Sequence, residues 1–278
     1  MQTEQLRRIT QGLINLSTLP TITAQLLELV GSEKDQREAL EQIVFSDPIL
    51  AARLLKMANA RGEHITNIHA AINKLGFEQA KEICIEASIS RIFELKDVQK
   101  FWDHCSAVGI AARIVAQKYK PDLTEDAHTA GLLHDIGKII LLQYTGAEFE
   151  QAIALSKSRS CDLYLAEMEL LGEDHGQTGA RLAEKWQLPR SIGEVMLYHH
   201  SFARAEINRP LVAAVSFADN LCRALNPGDG GNYAPPAFSE ELAEELCSWG
   251  VNLDANALRP LMIKCIEELR KKGLTQYG

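Results

Sequence analysis

No apolar run in this sequence approaches the roughly 20 residues that a membrane helix needs, so no membrane span is expected. The leading residues MQTEQLRRITQGL lack the apolar core of a secretion signal, which points to a soluble, cytoplasmic protein. The six cysteines (Cys84, Cys105, Cys161, Cys222, Cys247, Cys265) stand singly, with no C-x-x-C pair. Set mostly among apolar neighbours, they read as small core residues in a reducing compartment. Lys and Arg number 29 against 37 Asp and Glu, giving a net charge of −8. Without clustered cations there is no general surface for nucleic acid or for an anionic membrane, although a small local basic pocket stays open. Neither a Walker-type Gly-rich loop nor a dinucleotide fingerprint occurs. Convincing strand alternation, internal repeats and low-complexity tracts are absent too.

What the sequence does have is helical periodicity along almost all its length. A leading helix is expected over Gln2–Leu16, then an apolar face at Ile22, Leu26, Leu27, Leu29 and Val30 ended by Gly31. Asp35 with Glu38 resembles a capping pair, and Asp47-Pro48 opens the next helix. Further helices are expected over Ile68–Leu75, Phe77–Phe93 and Phe101–Tyr119, the last stopped by Pro121. Thr124 is expected to cap the following helix, which ends at His134-Asp135. Ala147–Lys157, Leu163–Leu171, His175–Trp186, a segment from Pro189 into His199-His200, and Ile207–Leu225 continue the pattern. The Gly- and Pro-rich stretch from Asn226 is the one clear loop, and helices from Ser239 and Asn256 follow it. The class is all-α: an irregular multi-helix domain rather than a simple bundle.

The run Leu132-Leu133-His134-Asp135-Ile136-Gly137-Lys138 puts an imidazole and a carboxylate side by side at the end of an apolar helix. Buried polar groups need partners, and either a hydrogen-bond network or a divalent metal would serve. Other candidates stand at helix ends or on apolar faces: His104, His175 after Glu173-Asp174, the pair His199-His200, and Asp219. Taken singly, each has an ordinary explanation. His104 suits a core histidine, Asp219 a bonded turn, and His175 a solvated helix start. Neighbours such as His199 and His200 point about 100° apart on a helix, so both reach one centre only where the helix ends. His64 and His69 read as solvated, and His128 as facing away from His134.

The order His, His-Asp, Asp resembles the HD superfamily of metal-dependent phosphohydrolases, with His104, His134 and Asp135, and Asp219 at the matching positions. By that resemblance His175, His199 and His200 supply a second metal, Asp135 bridges the two ions, and Lys138 lies near the phosphate. LPTITAQLLEL, FSDPILAARLLKMANA, AINKLGFEQA, GLLHDIGK and GQTGARLAEKWQLP followed by YHH together resemble the HDOD group, HD-related output domains of bacterial signalling proteins, over roughly residues 15 to 220. The resemblance implies an N-terminal helical part (1–95) packed on an HD-like core (96–225), followed by a linker and C-terminal helices (226–278). Many members look as if they have lost ligands, whereas this sequence holds the full set. After His199-His200 it has no Asp-Gly-x-Gly-Tyr-Pro, the mark of the cyclic di-GMP phosphodiesterases of the HD-GYP group.

Two functions fit these residues. One is a signalling output module that binds a protein partner and carries a structural or sensory metal. The other is a metal-dependent phosphohydrolase acting on a nucleotide or phosphate ester, with Asp135 and Lys138 in catalytic roles. Iron or manganese, mononuclear or binuclear, suits a His-rich site with a bridging carboxylate, and zinc and nickel remain alternatives. The expected partners are a signalling protein or a small phosphate ligand.

Overall fold

The computed structural model describes residues 25–26, 33–60, 62–89, 98–225 and 230–271. Every regular element among them is helical, as expected for an all-α chain. The leading helix expected over Gln2–Leu16 lies outside the described residues. So does the apolar face that follows it, apart from Leu26, which is fully buried.

Among the described residues four helices come first: α1 (Glu33–Phe45), α2 (Pro48–Ala58), α3 (Ile68–Leu75) and α4 (Phe77–Ile89). Asp47 starts α2 by accepting hydrogen bonds from the backbone N–H groups of Ile49 (2.8 Å) and Leu50 (3.2 Å), with Pro48 at the first helical position. Asn67 does the same for α3 through Ala70 N–H at 2.8 Å. The capping pair expected at Asp35 and Glu38 is corrected, because α1 already begins at Glu33 and both residues lie inside it.

The chain continues as α5 (Val98–Tyr119), α6 (Thr124–Leu133), α7 (Ile136–Arg159), α8 (Leu163–Leu171), α9 (His175–Lys185), α10 (Arg190–Tyr198) and α11 (Arg209–Leu225). Then come α12 (Glu240–Ser248) and α13 (Ala255–Lys271), with Ser239 capping α12 as expected. Thr124 does not cap α6. A 3₁₀ turn over Pro121–Leu123 precedes it, and the Thr124 hydroxyl donates back to the Pro121 carbonyl at 2.6 Å. Non-helical angles at Gly146 (φ 17°, ψ −89°) break α7 into two helical halves that meet at a kink, and the helix expected over Ala147–Lys157 lies in the second.

Two close helix approaches set the frame. A Cβ on Gly131 of α6 would stand 2.9 Å from Gly109 Cα and from the Val108 carbonyl of α5. On Gly137 of α7 a Cβ would overlap the His175 carbonyl at the start of α9. Glycine at both positions lets these backbones touch, which draws the chain around His134-Asp135 in from two sides. The N-terminal helices pack on the same core. Phe45 of α1 stacks on the His128 ring of α6 (centroids 3.7 Å apart, planes at 4°), so His128 faces away from His134-Asp135 as expected. Thr66 and Asn67 donate to the Asp126 carboxylate at 2.8 and 2.9 Å, and Ile68 N–H donates to the Thr129 hydroxyl at 3.2 Å. Apolar residues from α1 to α13 form one continuous buried cluster. The expected division points after residues 95 and 225 fall at or beside residues outside the described set. No described helix is long and apolar enough to cross a membrane.

Two outcomes follow from this packing. Gly137→Ala must push α7 from α9 against backbone, not a yielding side chain, so a loss of about 3 kcal/mol is expected in urea unfolding; stability equal to wild type would contradict the contact. Burial, with Asp47 nearby, pushes the Cys84 thiol up to about 12, and burial alone takes Cys265 to about 12. Burial also raises Cys105 and Cys222 well above the usual range, whereas Cys247 is exposed. A thiol reagent should therefore modify Cys247 in the native protein and those four only after unfolding. Peptide mapping that finds Cys222 labelled before Cys247 would refute this.

Candidate metal centre

His134 and Asp135 form the tight turn between α6 and α7. Asp135 stands where an N-cap residue would, yet its carboxylate makes no capping bond to α7 and is left free to serve the interior. His104 comes from α5 and Asp219 from α11. His175 is the first residue of α9, held there by a capping box between Asp174 and Gln177. His199 and His200 follow the last residue of α10. The helix does end at the pair, which is the condition for both rings to reach one centre.

All seven proposed ligands meet, in two groups whose ligating atoms lie within 4.8 Å of one another: His104, His134 and Asp219; and Asp135, His175, His199 and His200. Asp135 faces both. Its Oδ2 lies 3.5 Å from His104 Nε2 and 3.2 Å from His134 Nε2. Its Oδ1 lies 3.3 Å from His175 Nε2 and 3.5 Å from His199 Nε2. Asp219 Oδ1 is 3.1 Å from His104 Nε2 and 3.9 Å from His134 Nε2. Six of the seven residues are buried and His200 is partly exposed; the burial of His175 removes its solvated reading.

A second layer orients the rings. His134 Nδ1 meets the Gly131 carbonyl at 2.7 Å, and His199 Nδ1 meets the Met196 carbonyl at 2.9 Å. The Glu167 carboxylate meets His175 Nδ1 at 2.6 Å and accepts the His175 backbone N–H at 2.8 Å. With each Nδ1 committed outward, each Nε2 is turned inward, as in metal-bound histidines. The inward atoms are the unsatisfied ones. Nε2 of His134, His175, His199 and His200, Oδ1 of Asp135 and Oδ2 of Asp219 are buried without a hydrogen-bond partner. Buried polar atoms are seldom left so, and a cluster of orphaned imidazole nitrogens and carboxylate oxygens is the donor set of a transition-metal site. The residues present fit a divalent ion.

Lys138, one turn into α7, is buried and donates to Asp135 Oδ2 at 2.5 Å and to the Gly230 carbonyl at 2.8 Å. Burial works to raise the Asp135 carboxyl, but His134 and Lys138 outweigh it and hold it well below the usual carboxylate range. Asp219 is likewise pulled down, by its hydrogen bond to and charge of His104 against the effect of burial. Burial, then His199 and His175, drives His200 well below the ordinary imidazole value; burial lowers His199 too. His175 moves up, because Glu167 overcomes burial.

Sequence reasoning missed Glu167 and Gly230. Glu167 lies four residues after Leu163 and four before Leu171, both buried, so an acid on that inward stripe was the available signal. Gly230 lies in the loop after α11, where a Cβ would stand 3.0 Å from the His104 ring, and nothing in its local composition marks it. His64 and His69 are exposed, and His69 pairs with Glu41 at 2.9 Å, so neither joins the centre.

The HDOD domain family model matches residues 16–202. A protein of Treponema pallidum (strain Nichols) is 24% identical over 225 residues, covering 76% of this chain and 43% of its own length; the chain thus spans less than half of that relative. Among solved structures, the MmoQ response regulator of Methylococcus capsulatus str. Bath superposes with a TM-score of 0.66 at 20% identity, covering 88% of this chain and 97% of its own. A Shewanella amazonensis SB2B protein provisionally named a phosphohydrolase gives 0.52 at 25% identity, covering 96% and 98%.

The ion pair inside the centre can be tested in metal-free protein. Asp135→Asn is expected to cost about 3–5 kcal/mol, since it leaves Lys138 buried without a counter-charge. Adding Lys138→Met should recover a large part of that loss. Urea unfolding of the four proteins of the cycle reads the coupling, and additive losses would show that the two do not act as a pair.

Proposed function

Because the chain belongs to the HDOD family and carries a full set of inward-facing ligands, we propose that it is a bacterial signalling output module with a metal centre at Asp135. The observation that carries this reading is the division of Asp135, one oxygen toward His104 and His134 and the other toward His175 and His199. His104, His134 and Asp219 would hold one ion, and His175, His199 and His200 a second, with Asp135 shared between them. The nitrogen-rich, carboxylate-bridged set favours iron or manganese. Lys138 offsets charge at the shared carboxylate. The signal would pass to a protein partner through the helical surface, as the output-domain family suggests.

One observation favours a second reading, a metal-dependent phosphohydrolase. His199 and His200 also line a cavity that opens to solvent, so an ion held there would be within reach of a small phosphate ester. Such an ion would supply a bound water of lowered pKa.

Elemental analysis of protein purified from metal-supplemented cells is expected to find iron or manganese at one to two ions per chain, on the order of the two ligand groups. Glu167→Gln should weaken uptake by roughly 10- to 100-fold through the loosened His175 ring. No transition metal at near-stoichiometric level after reconstitution would overturn the metal reading. Phosphate-ester hydrolysis that survives Asp135→Ala would remove this centre as its source.

A further inference from the structure

We infer that the cavity outside His199 and His200 is a binding site for a small phosphate group, with the Arg223 guanidinium as its anchor. The cavity holds about 80 Å³ and is bounded by Asp162, Tyr164, His199, His200, Asn220 and Arg223, with loop residues that include Ala237 on a further side. A water needs about 10–15 Å³ of such space, so there is room for roughly five to eight water-sized atoms. That admits a phosphoryl group and a few atoms more; a larger remainder would extend toward solvent.

One group on the walls, the Arg223 guanidinium, is not spent. The Arg223 side chain is only 10% exposed. Its Nη2 donates to the Ala234 carbonyl at 2.7 Å and stands at a long 3.4 Å from Asp162 Oδ1. Its Nε is buried with no hydrogen-bond partner. Asp162 Oδ1 also accepts from Asn232 Nδ2 at 3.1 Å, so its hold on the guanidinium is shared. His200 Nε2 belongs to the metal centre, and the ring stacks on Tyr164 with centroids 5.4 Å apart, which fixes that wall. Asn220, by contrast, is engaged at both ends of its amide: it donates to the Ser216 carbonyl at 2.9 Å and accepts Ala237 N–H at 3.0 Å, which fixes the loop wall.

A desolvated guanidinium with an idle N–H calls for an oxyanion, and its planar fork suits phosphate oxygens. In a chain of net charge −8, a general attraction for anions is not the cause; the pull is local. Arg223 lies four residues after Asp219, so α11 carries a ligand of the metal centre and the anchor one turn apart. The inference rests on the metal reading in one respect: a phosphate on Arg223 would lie beside His199 and His200, where an ion could share it.

The test is calorimetric titration of the full chain with inorganic phosphate, in manganese-loaded and chelator-stripped forms. Wild type is expected to bind phosphate, Arg223→Gln to bind it at least about tenfold more weakly, and Arg223→Lys to recover part of the loss. Ala237→Phe fills the cavity from an exposed loop, away from the core, and should weaken binding to a similar degree. Manganese content per chain should be unchanged in all three variants. No phosphate binding by wild type in either form, or equal binding by wild type, Arg223→Gln and Ala237→Phe, overturns the inference. Arg223-dependent binding to a chain that takes up neither manganese nor iron would keep the cavity and remove the metal reading. Manganese uptake with phosphate binding indifferent to Arg223 would do the reverse.

Discussion

The shared carboxylate of Asp135 is the constraint on which the rest of the interior depends. Its two oxygens face different histidine groups, and Lys138 sits on one of them at 2.5 Å. Asp219 and Glu167 bring two more carboxylates into the same buried volume. Against three formal negative charges the centre offers one permanent cation, Lys138. Protons on histidine or bound metal must balance the remainder, since isolated charge in a low-dielectric interior is not tolerated. Burial lowers His199 and His200, whereas Glu167 raises His175 against burial, so of the two imidazoles at Asp135 Oδ1 only His175 is favoured as a proton carrier. One proton on His175 and the Lys138 charge still leave one carboxylate unbalanced, and a divalent ion would cover it.

That carboxylate is held in place by backbone contacts rather than by bulk. Asp135 closes α6 and opens α7, and both helices are drawn inward at glycines, Gly131 against α5 and Gly137 against the first residue of α9. The second contact joins the HDIGK run to His175 directly, because the atom that a Cβ would strike is the His175 carbonyl. The spacing between the two ligand groups is therefore a property of helix packing. Glycine in the run serves close approach, and the lysine one residue later turns back to the carboxylate that the turn presents.

The sequence made the helices legible where an end was chemically marked. Asp47-Pro48, Asn67 and Ser239 start helices as side-chain chemistry dictates, and Ile68–Leu75 and Leu163–Leu171 have the expected bounds. It misled where the same residue type had another use: Thr124 is turned back into a 3₁₀ turn, whereas the helix expected from Ala147 does follow a break, at Gly146. The ligand candidates could be named from residue type and order, because each ligand stands at a helix end or on an apolar face. Gly230 and Arg223 could not, and Glu167 showed only as an acid on the buried stripe of α8, with no partner named. Their places are set by contacts eight or more residues distant, such as Glu167 to His175 and Gly230 to Lys138, which local pattern does not encode.

The cost of this interior bears on whether it serves an ion. Buried charged networks seldom add stability over apolar packing of the same volume. A helical domain that needed only its shape could fill the space among α5, α6, α7, α9 and α11 with leucine and valine, as it does elsewhere in the same cluster. Instead it places seven ligand-type side chains there and adds Glu167 to orient one of them. It leaves six inward atoms without hydrogen bonds. A network built for stability would satisfy those atoms with one another, and hydroxyl or amide side chains would do so at less electrostatic cost. Leaving them open, in two groups on either side of one carboxylate, makes physical sense when something else completes them.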